Sequence, residues 1–465
     1  MTLQPSRTAE QSAPGRGEPR ELTLAVGAPA HGGHCVARPV DDPGGRVIFV
    51  RHTLPGETVR ARLTEMTSRT WRADAVEILQ ASPDRVESVW PEAGPAGVGG
   101  GELAHVALDA QRTWKRWVLA DCLRRIGGQE VADAVAALPE ASAAAAVPIE
   151  PMPTDAAAQA SSSARRRALA GTATRTRVSL TVGEDGRPGM HAFRSGTVLP
   201  LRRLPLAVDA ITEIGLLERS RWRAHYRPGM RIEAIAPSGG EPVVLLDERL
   251  LTAQARSTGR RRVREVVDAS ALGLGELTYS VHAEGFWQVH VDAPRVLVER
   301  VVRGALGENL ERAAGSRVLE LYSGAGLFTL PLAALVGSGG EVVSLEGNEQ
   351  AVRDARRTLH DHPAARLASG RVSARSVREL AGSLTGGRPD IVVLDPPRQG
   401  AGREVVEAVG ALGAERIVLV ACDPAALARD LGTLLHAGYA LGSMSALDMF
   451  PHTHHLETIA VLERS

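Results

Sequence analysis

The chain is 465 residues long and carries 54 basic and 54 acidic side chains, a formal net charge of zero. That length exceeds one hydrophobic core, so two or three domains are expected, and 44% hydrophobic residues are enough to fill them. A neutral chain excludes a uniformly basic nucleic-acid coat, leaving local patches as the route to any such contact. No apolar run reaches the roughly 18 residues of a membrane span, and MTLQPSRTAEQSAPGRGEPR lacks the apolar centre of a signal peptide. The expectation is a cytoplasmic monomer with no membrane association. Cys35, Cys122 and Cys422 lie far apart without CxxC spacing, which argues against a disulfide framework or a zinc ribbon and falls short of the thiolates of an ordinary iron–sulfur cluster.

Residues 1–20, rich in Pro, Gly, Ser and charge, read as a disordered tail. From 21 to 82 short β-type runs (ELTLAV, GRVIFVR, ETVRARLTEM, WRADAVEIL), broken by GG and PG turns, predict a small β-barrel. A middle α+β region spans 83–280 and contains an Ala-rich stretch near 131–168, read as a mobile insertion. From 281 to 465 apolar runs (RVLELYS, EVVSLEG, a run near RVSARS, DIVVLD, RIVLVAC, TIAVLE) alternate with helical patterns. That alternation predicts a Rossmann-like, doubly wound α/β domain whose site lies at the strands' C-terminal ends.

Within that domain VLELYSGAGLFTLPL reads as a buried strand, a glycine turn at Gly324 and Gly326, and a helix start, with Glu320 four residues before Gly324. Glycines let the backbone approach a ligand, and a helix N-terminus offers free N–H groups. Glu346, twenty residues after Gly326, closes the next strand, where a carboxylate can take both ribose hydroxyls. Thr329 stands where a dinucleotide GxGxxG would place its third glycine, which favours S-adenosylmethionine over NAD.

Cys422 ends the run RIVLVAC and precedes Pro424 in the first turn of a helix, a setting expected to stabilise the thiolate. Glu457 opens the final strand. His452, His454 and His455 beside it match no standard zinc spacing, and no metal is expected. Asp395, in DPPRQG, follows DIVVL. The prolines there make either a rigid loop that carries Asp395 to a ligand or a plain turn.

Four segments in this order, GFWQVH (285–290), VLELYSGAGLFTLPL, VLDPPRQG (393–400), and VACDPAALARDL with MFPHTHHLET, resemble the RNA uridine-5-methyltransferase family. The N-terminal runs, through GAPAHGGHCVARPVDDPGGRVIFVRHTLPGETVRARL, resemble a TRAM domain, an OB-like RNA-binding barrel. The resemblance implies methyl transfer from S-adenosylmethionine to carbon 5 of a uridine in RNA. Carbon 5 is a poor nucleophile until a thiolate adds to carbon 6, and a base must later remove the carbon 5 proton. By the resemblance Cys422 is the nucleophile and Glu457 the base, while Gln288, Tyr322, Glu346 and Asp395 contact the cofactor. Leu327 replaces an asparagine frequent in ribosomal RNA members, so one polar contact is not expected here.

Cluster-bearing relatives place CP…CGGC where this chain has WPEAGPAGVGGGELAHVALDAQRTWK, without cysteine, so no iron–sulfur cluster is expected. The TRAM-type barrel favours ribosomal over transfer RNA. The target uridine must lie in a loop or be flipped out, with Phe286 or Tyr322 as stacking candidates. Phosphate contacts are expected from Arg165, Arg166 and Arg167, and from Arg256, Arg260, Arg261, Arg262 and Arg264. The competing readings are a methyltransferase for DNA cytosine or a small molecule, and a non-catalytic RNA-binding protein. The barrel and DPPR oppose the first, and retention of Cys422 with Glu457 opposes the second.

Overall fold

The computed structural model describes residues 20–141 and 145–465 and divides into two compact units. The tail read into residues 1–20 lies outside the described residues except for Arg20. Among the described residues no helix is long and apolar enough to cross a membrane.

One unit is a closed barrel of β1 (Glu21–Ala30), β2 (His34–Pro39), β3 (Ile48–Arg51), β4 (Thr58–Met66) and β5 (Trp71–Gln80), in the order β1-β2-β3-β5-β4. Alternate residues point inward, so Leu24, Val26, Ile48, Val50, Val59, Ala61, Ala73 and Ala75 fill its core. Strand β2 is not evident in the sequence because HCVARP contains only short apolar stretches. The buried pair Arg51–Asp74, at 2.7 Å, ties β3 to β5.

The other unit begins with α1 (Leu108–Arg125), α2 (Gly128–Ala136), β6 (Ile149–Pro151), α3 (Pro153–Gln159) and α4 (Ala164–Ala168). The Ala-rich stretch expected to be a mobile insertion therefore supplies four regular elements. Val131, Val135 and Ile149 enter the same core as the C-terminal sheet, and β6 pairs with its outermost strand. Isolated Val and Ile among alanines are enough to bury one face, and the compositional bias hides them.

A six-stranded sheet follows, made of β7 (Arg177–Val182), β8 (Pro188–His191), β9 (Val198–Pro200), then α5 (Asp209–Thr212), α6 (Ser220–Arg223), β10 (Arg231–Ile235), β11 (Val243–Leu246) and β12 (Arg249–Thr252). It keeps its own core around Trp222, Ile232 and Val244. The stretch 83–280 thus does not build one core, since α1, α2 and β6 belong to the C-terminal layer. A hairpin of β13 (Arg262–Asp268) and β14 (Glu276–His282) then joins the C-terminal core through Val263, Val267, Leu277, Tyr279 and Val281.

The C-terminal layer contains α7 (Ala293–Leu306), β15 (Arg317–Leu321), α8 (Thr329–Val336), β16 (Glu341–Glu346), α9 (Glu349–Thr358), β17 (Ala365–Ser369), α10 (Ala374–Gly382), β18 (Ile391–Leu394), α11 (Arg403–Gly410), β19 (Arg416–Ala421), α12 (Pro424–His436), β20 (Tyr439–Asp448) and β21 (Glu457–Arg464). The sheet order is β17-β16-β15-β18-β19-β21-β20-β6. The strands from β17 to β19 are parallel, whereas β21 runs antiparallel to β19. Apolar residues cover both faces, as a doubly wound sheet requires. The strand expected near RVSARS is present, as β17. Its sequence is ARLAS, just before that run, while Ser373 and Ser376 form a capping box that starts α10.

Lys115, the only lysine, is fully buried on α1 and donates to the Asp448 carboxylate and, at 3.0 Å, to the Phe450 carbonyl. Burial lowers the pKa of its ammonium, and Asp448 opposes that shift. Replacing one partner strands a buried charge, so Lys115→Met is expected to cost about 3–5 kcal/mol in denaturant unfolding. The double variant Lys115→Met/Asp448→Asn should recover much of that loss. A single variant within about 1 kcal/mol of the parent would remove the pair from the stability account.

Candidate active site

The parallel ladder aligns Leu321 of β15 with Leu345 of β16 and with Leu394 of β18, and Leu394 with Leu419 of β19. The residues that follow emerge on one rim: Tyr322 with the glycine turn, Glu346, Asp395, and then Cys422. On the antiparallel side Ala421 pairs with Thr458, and the Thr458 hydroxyl donates to the Ala421 carbonyl at 2.8 Å. One step further along this register sets Cys422 opposite Glu457.

At the glycine turn Tyr322 has φ +65°, a left-handed conformation costly for an aromatic residue, and its N–H donates to the Leu345 carbonyl at 2.8 Å. Gly324 and Gly326 also have positive φ, which an L side chain rarely adopts. A Cβ on Gly324 would meet no atom within 4 Å, so the turn borders open space. The Glu346 carboxylate is fixed by the N–H groups of Gly324 (2.9 Å) and Asn348 (2.6 Å). An oriented carboxylate beside an open glycine turn fits a nucleoside ligand.

Glu320, marked in the sequence only by its spacing from the glycines, is buried in the middle of β15. Its Oε2 accepts from the Thr329 hydroxyl at 2.6 Å, which gives that departure from the third glycine a structural role. Its Oε1 has no hydrogen-bond partner among the described residues. Burial, aided by Asp395 and Glu346, pushes its pKa up to about 8 against the Thr329 hydrogen bond. The neutral acid is the form the fold prefers. This contribution to stability is fully present below the ordinary carboxyl pKa and disappears as pH rises to about 8. Thermal unfolding of the ligand-free protein from pH 5 to 9 should show this fall, and Glu320→Gln should flatten it by a few kcal/mol at most. Equal slopes would refute the assignment.

Gln288 sits on the loop 283–292. Its neighbour Trp287 packs on Tyr279 with ring centroids 5.1 Å apart, and the Tyr279 hydroxyl donates to the Leu327 carbonyl at 2.9 Å. The loop is thereby tied to the glycine turn, although among the described residues no hydrogen bond links Gln288 to the rim residues. Leu327 itself is buried in the core. The end of DPPRQG is held by Asp430 of α12, which accepts from Ala401 N–H at 3.0 Å, and Gly400 there has φ +84°. The tie to α12 makes this loop more than a plain turn. Sequence reasoning misses Asp430, Tyr279 and Lys115 as site residues, because their partners lie 29 to 333 positions away.

The expectation for Cys422 is corrected in one respect. The first N–H groups of α12, those of Ala425 and Ala426, are already taken by the side chain of Asp423 at 3.0 and 2.9 Å. Burial, with Glu457 and Asp395 adding to it, pushes the thiol pKa up to about 12, and Arg398 only partly opposes this. The resting site holds a thiol. Burial and the Glu346 charge raise Asp395 to about 7. Burial and Asp395 likewise raise Glu457 well above an ordinary carboxylate.

The loop from Asp448 to Glu457 is braced from outside the sheet. Gln111 accepts from His452 N–H at 2.7 Å and contacts its Nδ1 at 3.1 Å, while Leu103 N–H donates to the His452 carbonyl at 2.9 Å. Burial keeps His452 and His455 neutral, with pKa values of about 4 and about 3. Among the described residues no group of three His, Cys, Asp or Glu is arranged to hold a metal.

A family model described as tRNA (Uracil-5-)-methyltransferase matches residues 275–465, and a TRAM domain model matches residues 18–76. An RNA methyltransferase of Streptomyces coelicolor is 38% identical over 468 residues, 95% of this chain and 93% of its own. A 23S rRNA (uracil(1939)-C(5))-methyltransferase of Acinetobacter baumannii is 30% identical over 456 residues, 94% of this chain and 92% of its own. The solved Pyrococcus abyssi tRNA (uracil-54, C5)-methyltransferase in complex with S-adenosyl-L-homocysteine has the same fold, at a TM-score of 0.59 and 21% identity, covering 89% of this chain and 94% of that one. On these matches and the rim they coincide with, the chain belongs to the S-adenosylmethionine-dependent RNA (uracil-5-)-methyltransferase family, with an N-terminal TRAM domain.

Proposed function

We propose that this enzyme methylates carbon 5 of one uridine in large-subunit ribosomal RNA through a covalent bond between Cys422 and the base. The observation that carries the reading is the Glu457 charge acting on the Cys422 thiol, one residue beyond the paired Ala421 and Thr458, on the rim holding the glycine turn. Gly324, Gly326, Tyr322 and Glu346, with Gln288 and Asp395, would hold S-adenosylmethionine, which supplies an electrophilic methyl group when bound.

The chain's own residues do the rest. Cys422 Sγ gives up its proton to solvent and bonds to carbon 6, and the electrons of the C5–C6 double bond move onto carbon 5 and the adjoining carbonyl. Once carbon 5 carries the methyl group, Glu457 accepts its proton. The double bond re-forms, the S–C6 bond breaks, and the thiolate leaves. Burial and Asp395 favour the neutral acid of Glu457, so it must first lose its proton to solvent, and the carboxylate then formed is the stronger base for that step.

Large-subunit RNA as the target is supported by the TRAM domain and by the described substrate of the Acinetobacter relative. Mapping 5-methyluridine in total RNA with and without the gene tests the proposal. Loss of one ribosomal 5-methyluridine is expected. Loss in transfer RNA instead would overturn the target, and no loss in any RNA would overturn the reaction.

A further inference from the structure

Strand β13 and the segment before it carry the arginine-rich run ARSTGRRRVRE, and the structure sorts its arginines into two kinds. Arg262 is turned onto buried Asp354 of α9, with Nε donating at 2.9 Å. Arg256, Arg260, Arg261 and Arg264 are exposed, and among the described residues no carboxylate pairs with any of them. In a chain whose charges sum to zero, four uncompensated guanidinium groups within nine residues are a local excess.

The segment that presents them is braced. Thr252 N–H donates to the Arg256 carbonyl at 2.8 Å, Thr258 N–H to the Leu250 carbonyl at 3.1 Å, and Arg260 N–H to the Thr258 hydroxyl at 3.1 Å. The hairpin is also polarised. Its turn end pairs Asp268 with Glu276, and its opposite end pairs Arg262 with His282. That basic end continues into the loop of Gln288, because Ala283 N–H donates to the Arg261 carbonyl at 2.9 Å. Half-buried Arg177 pins the same loop by donating to the carbonyls of Ala283 (3.2 Å) and Gly285 (2.8 Å). Phe286 follows, 74% exposed.

We infer that Arg256, Arg260, Arg261 and Arg264 form a phosphate-binding surface that holds the RNA backbone beside the target uridine. The inference rests on RNA being the substrate and names where its backbone runs. Guanidinium groups suit this work because their forked donors take phosphate oxygens in pairs. A braced basic edge continuous with the loop of Gln288 leads a single strand towards the rim.

The test uses the full chain and a uridine-containing ribosomal RNA fragment, with affinity measured across salt concentrations. Neutralising all four (Arg256→Gln, Arg260→Gln, Arg261→Gln, Arg264→Gln) should flatten the plot of log affinity against log salt by about 2 to 3, near 0.7 for each single-strand phosphate that is no longer neutralised. KM for RNA should rise about tenfold or more with kcat at saturating RNA retained. The matching four-lysine variant should keep most of the parent's slope. An unchanged slope overturns the inference, as does a fall in kcat with the slope intact, which would mark the arginines as structural. If the parent methylates no RNA while the slope still drops, the phosphate surface stands and the proposed reaction falls.

Discussion

Cys422→Ala is expected to lose methyl transfer by on the order of 10⁴-fold or more, because the variant has no nucleophile to activate carbon 5. With 5-fluorouridine RNA and S-adenosylmethionine, the parent should form a covalent adduct that survives denaturing gels, since fluorine cannot leave as a proton. The variant should form none, and an adduct from it would sink the assignment. The electrostatics add a second signature. With the thiol pKa at about 12, the rate of adduct formation in the parent should climb with pH above neutrality by up to about tenfold per unit. A profile flat from pH 7 to 9 would mean that thiol ionisation does not limit the step.

Glu457→Gln should separate the two halves of the reaction. In the proposed reaction, bond formation between Cys422 and carbon 6 does not use this carboxylate, but removal of the carbon 5 proton does. The variant is expected to accumulate a methylated covalent species with ordinary uridine RNA and to turn over about 10²- to 10⁴-fold more slowly. Mass spectrometry of the trapped complex should find the added methyl on the base. Because Glu457 follows burial among the causes that hold the thiol up, its removal should also shift the pH profile of adduct formation downward. Normal turnover by this variant would assign the proton to another base.

The parallel strands of the catalytic sheet are legible in the sequence because strands buried on both faces must be largely apolar, and β15, β16, β18 and β19 are, apart from their ends and from Glu320 and Ser344. The rim follows from them, since Glu346, Asp395 and Cys422 each end such a run. What stays hidden depends on distant partners. Strand β6 is three residues long and gains its identity from β20, almost 300 positions away. Glu320 is visible as an acid within an apolar strand, but its raised pKa arises from burial and from Asp395 and Glu346 brought beside it by folding. The thiol departs from expectation chiefly through burial, with Glu457 and Asp395 adding to it, while Asp423, the adjacent residue, takes the helix N–H groups that would otherwise be free to stabilise a sulfur anion.

The burial of Cys422 has a consequence for how the enzyme endures while idle. Burial, with Glu457 and Asp395, holds the Cys422 sulfur as a thiol at pH 7. Peroxides and electrophilic metabolites attack the anion, so a nucleophile kept protonated is spared sulfenic acid formation and alkylation while idle. The same arrangement that would make the proposed first chemical step demanding gives the Cys422 sulfur a long chemical shelf life.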